Sequence, residues 1–168
     1  MFLPISLLFV GAVLVLNGLW MSGRISDREI VVINFATAAI TATVAAVSLV
    51  RATTGDKIRS VALTLLFSAT YLWVAVNRLN GADGRGLGWF SLFVSLSVLP
   101  QAFLALASAA KFIDIWLGIC WLTWSGLWFM YFATLTMKKP VQDQTAVATL
   151  LSGVLTAWLP ALFLMYGA

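Results

Sequence analysis

The sequence has no histidine, one cysteine, and formal charge on only 10% of its 168 residues. Each scarcity removes a class of function. Without histidine the chain lacks the side chain that titrates between about pH 5 and 8, and it lacks the commonest neutral metal ligand. A lone cysteine, Cys120, builds neither a disulfide nor a metal centre and is expected to behave as a small apolar residue. No Asp, Glu, Lys or Arg falls in the interior of any long apolar stretch. Ion- and proton-coupled transporters keep an ionisable residue at membrane depth because the coupling ion needs a site there, so coupled transport, proton pumping and voltage sensing are disfavoured. Catalysis fares no better. The buried polar inventory is hydroxyls, Asn17, Asn34, Asn77 and Cys120, with no histidine or buried carboxylate to activate any of them. What remains is passive passage of something neutral, or no passage at all. No cofactor or metal is expected.

What is abundant is hydrocarbon. Hydrophobic residues make up 62% of the chain, and its mean hydropathy is +1.01. These values are far from those of a soluble domain and imply an integral membrane protein. Long apolar runs recur near residues 3–21, 30–50, 60–78, 89–110, 113–136 and 145–166, each long enough to cross a bilayer as a helix. A transmembrane barrel would show short alternating segments instead. The expected fold is therefore all-α, one six-transmembrane-helix bundle. It can be drawn as three helical hairpins, one with two, three with four and five with six, around a pore within the protomer. The opening LLFVGAVLVLNG and the later LLFSATYLWVAVNRLNG are faintly alike, which leaves a threefold internal repeat open. The first run lacks a basic flank and a cleavage site and reads as a retained helix. Odd-numbered loops hold six basic residues and even-numbered loops four, which places the odd loops in the cytoplasm and both termini outside. The net charge of +4 needs no other explanation, so no nucleic-acid binding is inferred.

Along the chain, helix one is expected to end near Asn17-Gly18 or at Gly23, and Pro100 to kink helix four. Asn34, Thr37 and Thr41 share one face of helix two, where they either line a path or bond across to a neighbour. Phe67 and Tyr71 share a face of helix three. The fifth run, IWLGICWLTWSGLWFMYF, places Trp121, Trp124 and Trp128 at i, i+3 and i+7, so their indoles form a column on one side. In a membrane protein tryptophans belong mainly at the interfaces. A column through mid-span is either bundle packing, with each N–H bonded to a neighbour, or the lining of a path for a polar, uncharged solute that hydrogen-bonds to those N–H groups.

Several segments in order resemble the AmiS/UreI family of urea and short-chain amide channels: LLFVGAVLVLNG, LLFSATYLWVAVNRLNG, GWFSLFVSLSVLP, WLGICWLTWSGLWFMYF and GVLTAWLPALFLM. The resemblance covers most of the chain apart from the loops. It implies a six-helix protomer with its own pore, a homohexameric ring in the bacterial inner membrane among its lipids, and small neutral amides or urea running down their gradient to a cytosolic amidase or urease. By the same resemblance Phe67, Tyr71, Trp124 and Trp128 fall at the aromatic selectivity filter, and Trp121 matches a tryptophan one turn earlier. Leu7, Val10 and Leu14 fall at an aliphatic constriction. Asn77, Ser152 and Thr156 are the polar candidates for the pore lining.

Spacing offers a separate check. Helices three and five run in the same direction, and Tyr71 and Trp124 lie about eleven residues, roughly 16 Å, from their outer ends, so the rings can meet near the midplane. Two departures from the acid-gated urea channels of the family stand out. Histidines and long external loops are missing, which implies a pore whose conductance is flat between about pH 5 and 7.5. Ser152 stands where those channels hold a glutamate beside the passage, which suits acetamide-like solutes better than urea. The rival readings are a non-transporting membrane scaffold or sensor, a secondary transporter, and an acid-gated urea channel.

Overall fold

The computed structural model describes residues 2–167, and helices two to six begin before the apolar runs do because their first turns lie in the polar loops. The helices are α1 (Leu3–Met21), α2 (Asp27–Val50), α3 (Gly55–Asn80), α4 (Arg85–Ala107), α5 (Phe112–Leu135) and α6 (Gln142–Tyr166). All six are long and apolar enough to cross a membrane. Ser26 begins α2 with a capping box, its hydroxyl accepting from Glu29 N while the Glu29 carboxylate accepts from Ser26 N, each at 3.3 Å. Thr54 caps α3 from its side chain. Asp56 in the first turn suits the positive end of the helix dipole. Hydropathy alone therefore places these starts a turn late. In α4 the shift runs the other way at the far end: the apolar run extends to residue 110, but the helix stops at Ala107, where Ser108 caps it through its backbone.

Of the two ends open for α1 the structure takes the later: the helix runs on through Asn17-Gly18 to Met21, and Gly23 follows at φ 77°. Gly18 instead admits α6: a Cβ there would lie 2.7 Å from Leu150 Cβ, so only glycine permits this approach. Helix six is also interrupted, since residues 153–158 wind as a π-helix between two α-helical parts. Pro100 sits inside a continuous α4 with its ring outward.

The helices stand in a closed ring in chain order, α6 returning to α1, and every extensively packed pair is a pair of ring neighbours. The consecutive hairpins exist, but the closest packing is offset from them by one helix: α2 with α3, α4 with α5, and α6 with α1. Tight and loose contacts alternate around the ring, so its packing repeats three times. Small and hydroxylated residues make the tight seams, as suits helices in lipid, where no hydrophobic force drives them together. Thr41 and Ser68 share a hydrogen bond at 2.7 Å between α2 and α3. Ser95 and Ser125 each donate to the other's backbone carbonyl, at 2.8 and 2.9 Å, between α4 and α5. The polar face of α2 thus bonds across: Asn34 exchanges amide hydrogen bonds with Asn17, and Thr37 donates to Phe9 O. Large apolar side chains such as Trp89, Phe93, Leu96, Phe103 and Phe129 point outward, as a lipid solvent requires.

Candidate functional site: a vestibule closed by an aromatic cluster

Alternate helices of the ring send their bulky side chains to its centre. Leu7, Val10 and Leu14 from α1, Phe67 and Tyr71 from α3, and Trp124 and Trp128 from α5 are all buried and belong to one packed cluster, against which the half-buried Trp121 also rests. The rings interlock. Phe67 stacks on Trp128 with centroids 4.7 Å apart and planes 20° apart, and it meets Trp124 edge-on at 5.4 Å and 89°. Trp121 completes the group, 5.8 Å from Phe67 and 5.2 Å from Trp124. Such offset and perpendicular pairs follow the ring quadrupoles and each contribute about 0.5–1.5 kcal/mol beyond area burial.

Onto this cluster opens a cavity of about 440 Å³. It enters from the end of the bundle formed by the first, third and fifth loops, and its floor is Leu14, Tyr71 and Trp128. Phe67, Trp121, Trp124, Leu7 and Val10 lie beyond the floor. The volume falls in the usual range for small-molecule sites. One stripe of α3, Tyr71, Val74 and Arg78 with Thr70 and Asn77 beside it, forms much of the wall, because residues at i, i+3 and i+7 share a helix face. Asn17, Ser91, Tyr131 and Thr134 add polar groups from α1, α4 and α5.

Hydrogen bonds decide which polar groups can serve a solute. The Trp128 indole N–H donates to Thr70 Oγ1 at 3.2 Å, and the Trp124 N–H donates to Thr156 Oγ1 at 2.7 Å. Both are therefore engaged with the protein, as in the packing reading of the column, where each N–H bonds to a neighbour. They tether the ring edges and leave the faces to their neighbours. Tyr131 shares a hydrogen bond with Thr149 at 2.8 Å. Among the described residues the one sealed side-chain polar atom without a partner is the hydroxyl of Tyr71, which is 1% exposed.

Of the polar candidates, Asn77 lines the cavity, whereas Ser152 and Thr156 do not. Both are buried on α6, Thr156 donating to Ser152 O at 2.6 Å while it accepts from Trp124. Sequence reasoning misses Asn17, which reads as a helix end, and Thr70, whose pairing with Trp128 spans 58 positions and leaves no local signal. It also misses the mouth. There Arg78 lies 5.2 Å over the Trp20 ring and 3.8 Å from an Asp27 oxygen, while the Trp20 N–H donates to Asp27 at 2.7 Å. At the same mouth Asp83 accepts from the Arg85 backbone N–H and from its guanidinium, which hold its carboxyl below the usual carboxylate range. The described residues hold no cluster of His, Cys, Asp or Glu able to ligate a metal.

The ring of apolar helices and the vestibule at its centre define a multi-pass membrane protein. Residues 2–168 match the sequence pattern of the AmiS/UreI family transporter, and the chain belongs to that family. It is 38% identical to a protein of Mycolicibacterium smegmatis described as an amidate substrates transporter, over 97% of this chain and 76% of the relative. Among solved structures it is similar to the crystal structure of the urea channel from Helicobacter pylori, with a TM-score of 0.85, 31% identity and 98% of each chain covered. A cryo-electron microscopy structure of the same channel in its closed state gives a TM-score of 0.88 at 31% identity over 97% of each chain. Family and relatives are transporters and channels.

Proposed function

We propose that the chain is a passive channel for small neutral amides, acetamide-like short aliphatic amides first and urea also, through an aromatic-lined pore in each protomer. The observation that carries this reading is the sealed, unpartnered hydroxyl of Tyr71, a residue in the floor of a cavity whose far side is a cluster of uncharged rings. A buried hydroxyl without a partner costs about 1–3 kcal/mol. A planar amide that slips between the rings and bonds to it recovers part of that cost, in trade for part of its own water shell. Passage requires the rings of Phe67, Trp124 and Trp128 to part, and the threonine tethers of the two tryptophans let their faces slide while the N–H edges stay fixed. An ion finds nothing here to replace its hydration and is refused. A single hydroxyl among apolar rings favours a solute with one polar end and one methyl, which supports acetamide over urea.

The same reading makes the assembly a homohexamer in the bacterial inner membrane, with both termini outside. The vestibule then opens to the cytoplasm and delivers amide to a cytosolic amidase. No catalysis by the chain is proposed. The test is stopped-flow swelling of proteoliposomes with acetamide, urea and glycerol. Acetamide and urea should enter faster than through bare lipid, with acetamide ahead. Rates for both amides equal to those of protein-free vesicles would favour a scaffold with an aromatic core.

A further inference from the structure

The π-helical turn of α6 is built from parts that interlock with the aromatic cluster. Leu159 N–H bonds to Val154 O, five residues back, which is the π register. The next bond in that register would run from residue 160 to Leu155 O, but Pro160 has no N–H. The Leu155 carbonyl is bonded instead by the indole N–H of Trp116 on α5, at 3.0 Å. One residue further, the Thr156 hydroxyl commits its only proton to Ser152 O at 2.6 Å, so toward Trp124 it acts as acceptor, at 2.7 Å. The turn is also pressed onto α1. A Cβ on Gly153 would lie 2.7 Å from Val15 N, and one on Gly11 would lie 2.8 Å from Trp158 N. Thr156 stands within the π turn itself, so the wider winding of that turn sets the face from which its hydroxyl meets Trp124.

We propose that this turn, with Trp116 standing in for the N–H that Pro160 lacks, fixes the plane of the Trp124 indole through Thr156 and thereby sets the size limit of the passage. Trp116, Thr156 and Pro160 are positioning residues. The size limit rests on the function proposed above; the orientation of Trp124 rests on the hydrogen bonds alone.

The experiment uses the full chain in nanodiscs and proteoliposomes, with two readouts: the ¹⁵N-indole N–H resonance of Trp124, assigned with Trp124→Phe, and the ratio of acetamide to butyramide permeability. Thr156→Val and Trp116→Phe should both move the Trp124 resonance. Both should lower the permeability ratio about fivefold, the equivalent of one hydrogen bond of about 1 kcal/mol. Thr156→Ser keeps the acceptor and should leave both readouts at their native values. Trp116→Phe combined with Pro160→Ala should restore them, because the new N–H at position 160 bonds Leu155 O directly. A role for Trp116 as mere bulk would not be rescued by a backbone N–H. An unmoved Trp124 resonance in Thr156→Val, or in Trp116→Phe where the valine variant does not assemble, overturns the proposal, as does failure of the double variant to restore it. Absence of amide flux through the unaltered protein would instead remove the proposed function and leave the resonance to decide the positioning.

Discussion

Replacing Tyr71 by phenylalanine separates the two consequences of the sealed hydroxyl. The substitution removes one oxygen, keeps the ring in the packed cluster, and breaks no hydrogen bond to the protein, since this oxygen makes none among the described residues. Losing an unpaired buried hydroxyl relieves about 1–3 kcal/mol, so the folded protein should be stabilised by up to that amount. Transport should move the opposite way. If the hydroxyl takes up one neutral hydrogen bond to a passing amide, its loss raises the barrier by about 0.5–1.5 kcal/mol, a fall in acetamide flux of roughly two- to twelvefold. Thermal unfolding in detergent and stopped-flow swelling on the same preparation measure both signs. A variant that is less stable, with acetamide flux unchanged, would show that the hydroxyl serves the fold and would refute the reasoning.

Trp128→Ala removes the ring stacked on Phe67 and should cost about 3–5 kcal/mol of stability while admitting larger amides such as butyramide, read by the same swelling assay. An unchanged size limit would take Trp128 out of the filter. Amide conductance should be flat between about pH 5 and 7.5, because the chain has no histidine. At the mouth Asp83 is held below the ordinary carboxylate range, so it stays ionised through this window, and whatever it contributes is lost only as the pH falls through that lowered value. A steep rise on mild acidification would contradict this. Gly18→Leu places a side chain against Leu150, with its Cβ only 2.7 Å from that residue's Cβ, and should abolish assembly of the α1–α6 seam; normal size-exclusion behaviour and melting would count against the packing described.

The six helices were legible because hydrocarbon leaves the backbone no alternative at these lengths, and because the apolar runs are separated by charged loops. The column of Trp121, Trp124 and Trp128 was legible from helical spacing, whereas its meeting with Phe67 and Tyr71 was implied by the family resemblance and agreed with the parallel run of α3 and α5. The role of the indole N–H groups was not, because Thr70 and Thr156 stand on other helices, 58 and 32 positions away. Ser152 looks like a lining residue by its place in the chain. The π turn after it is hidden, since Pro160 alone reads as an ordinary helix disturbance until Trp116 is seen bonded to Leu155 O. The mouth is invisible for a plainer reason. Asp27 and Arg78 read as loop charges, and it is the antiparallel packing of α2 on α3 that brings the end of α3 against the turn between α1 and α2.

The central claim is downhill passage of a neutral solute without coupling. It is tested most directly by uptake of radiolabelled acetamide into proteoliposomes whose proton gradient and membrane potential have been collapsed. Uptake should be rapid and should stop when the internal concentration equals the external one, with or without the gradients. Accumulation above that level when a gradient is imposed, or uptake no faster than into protein-free vesicles, would contradict the account.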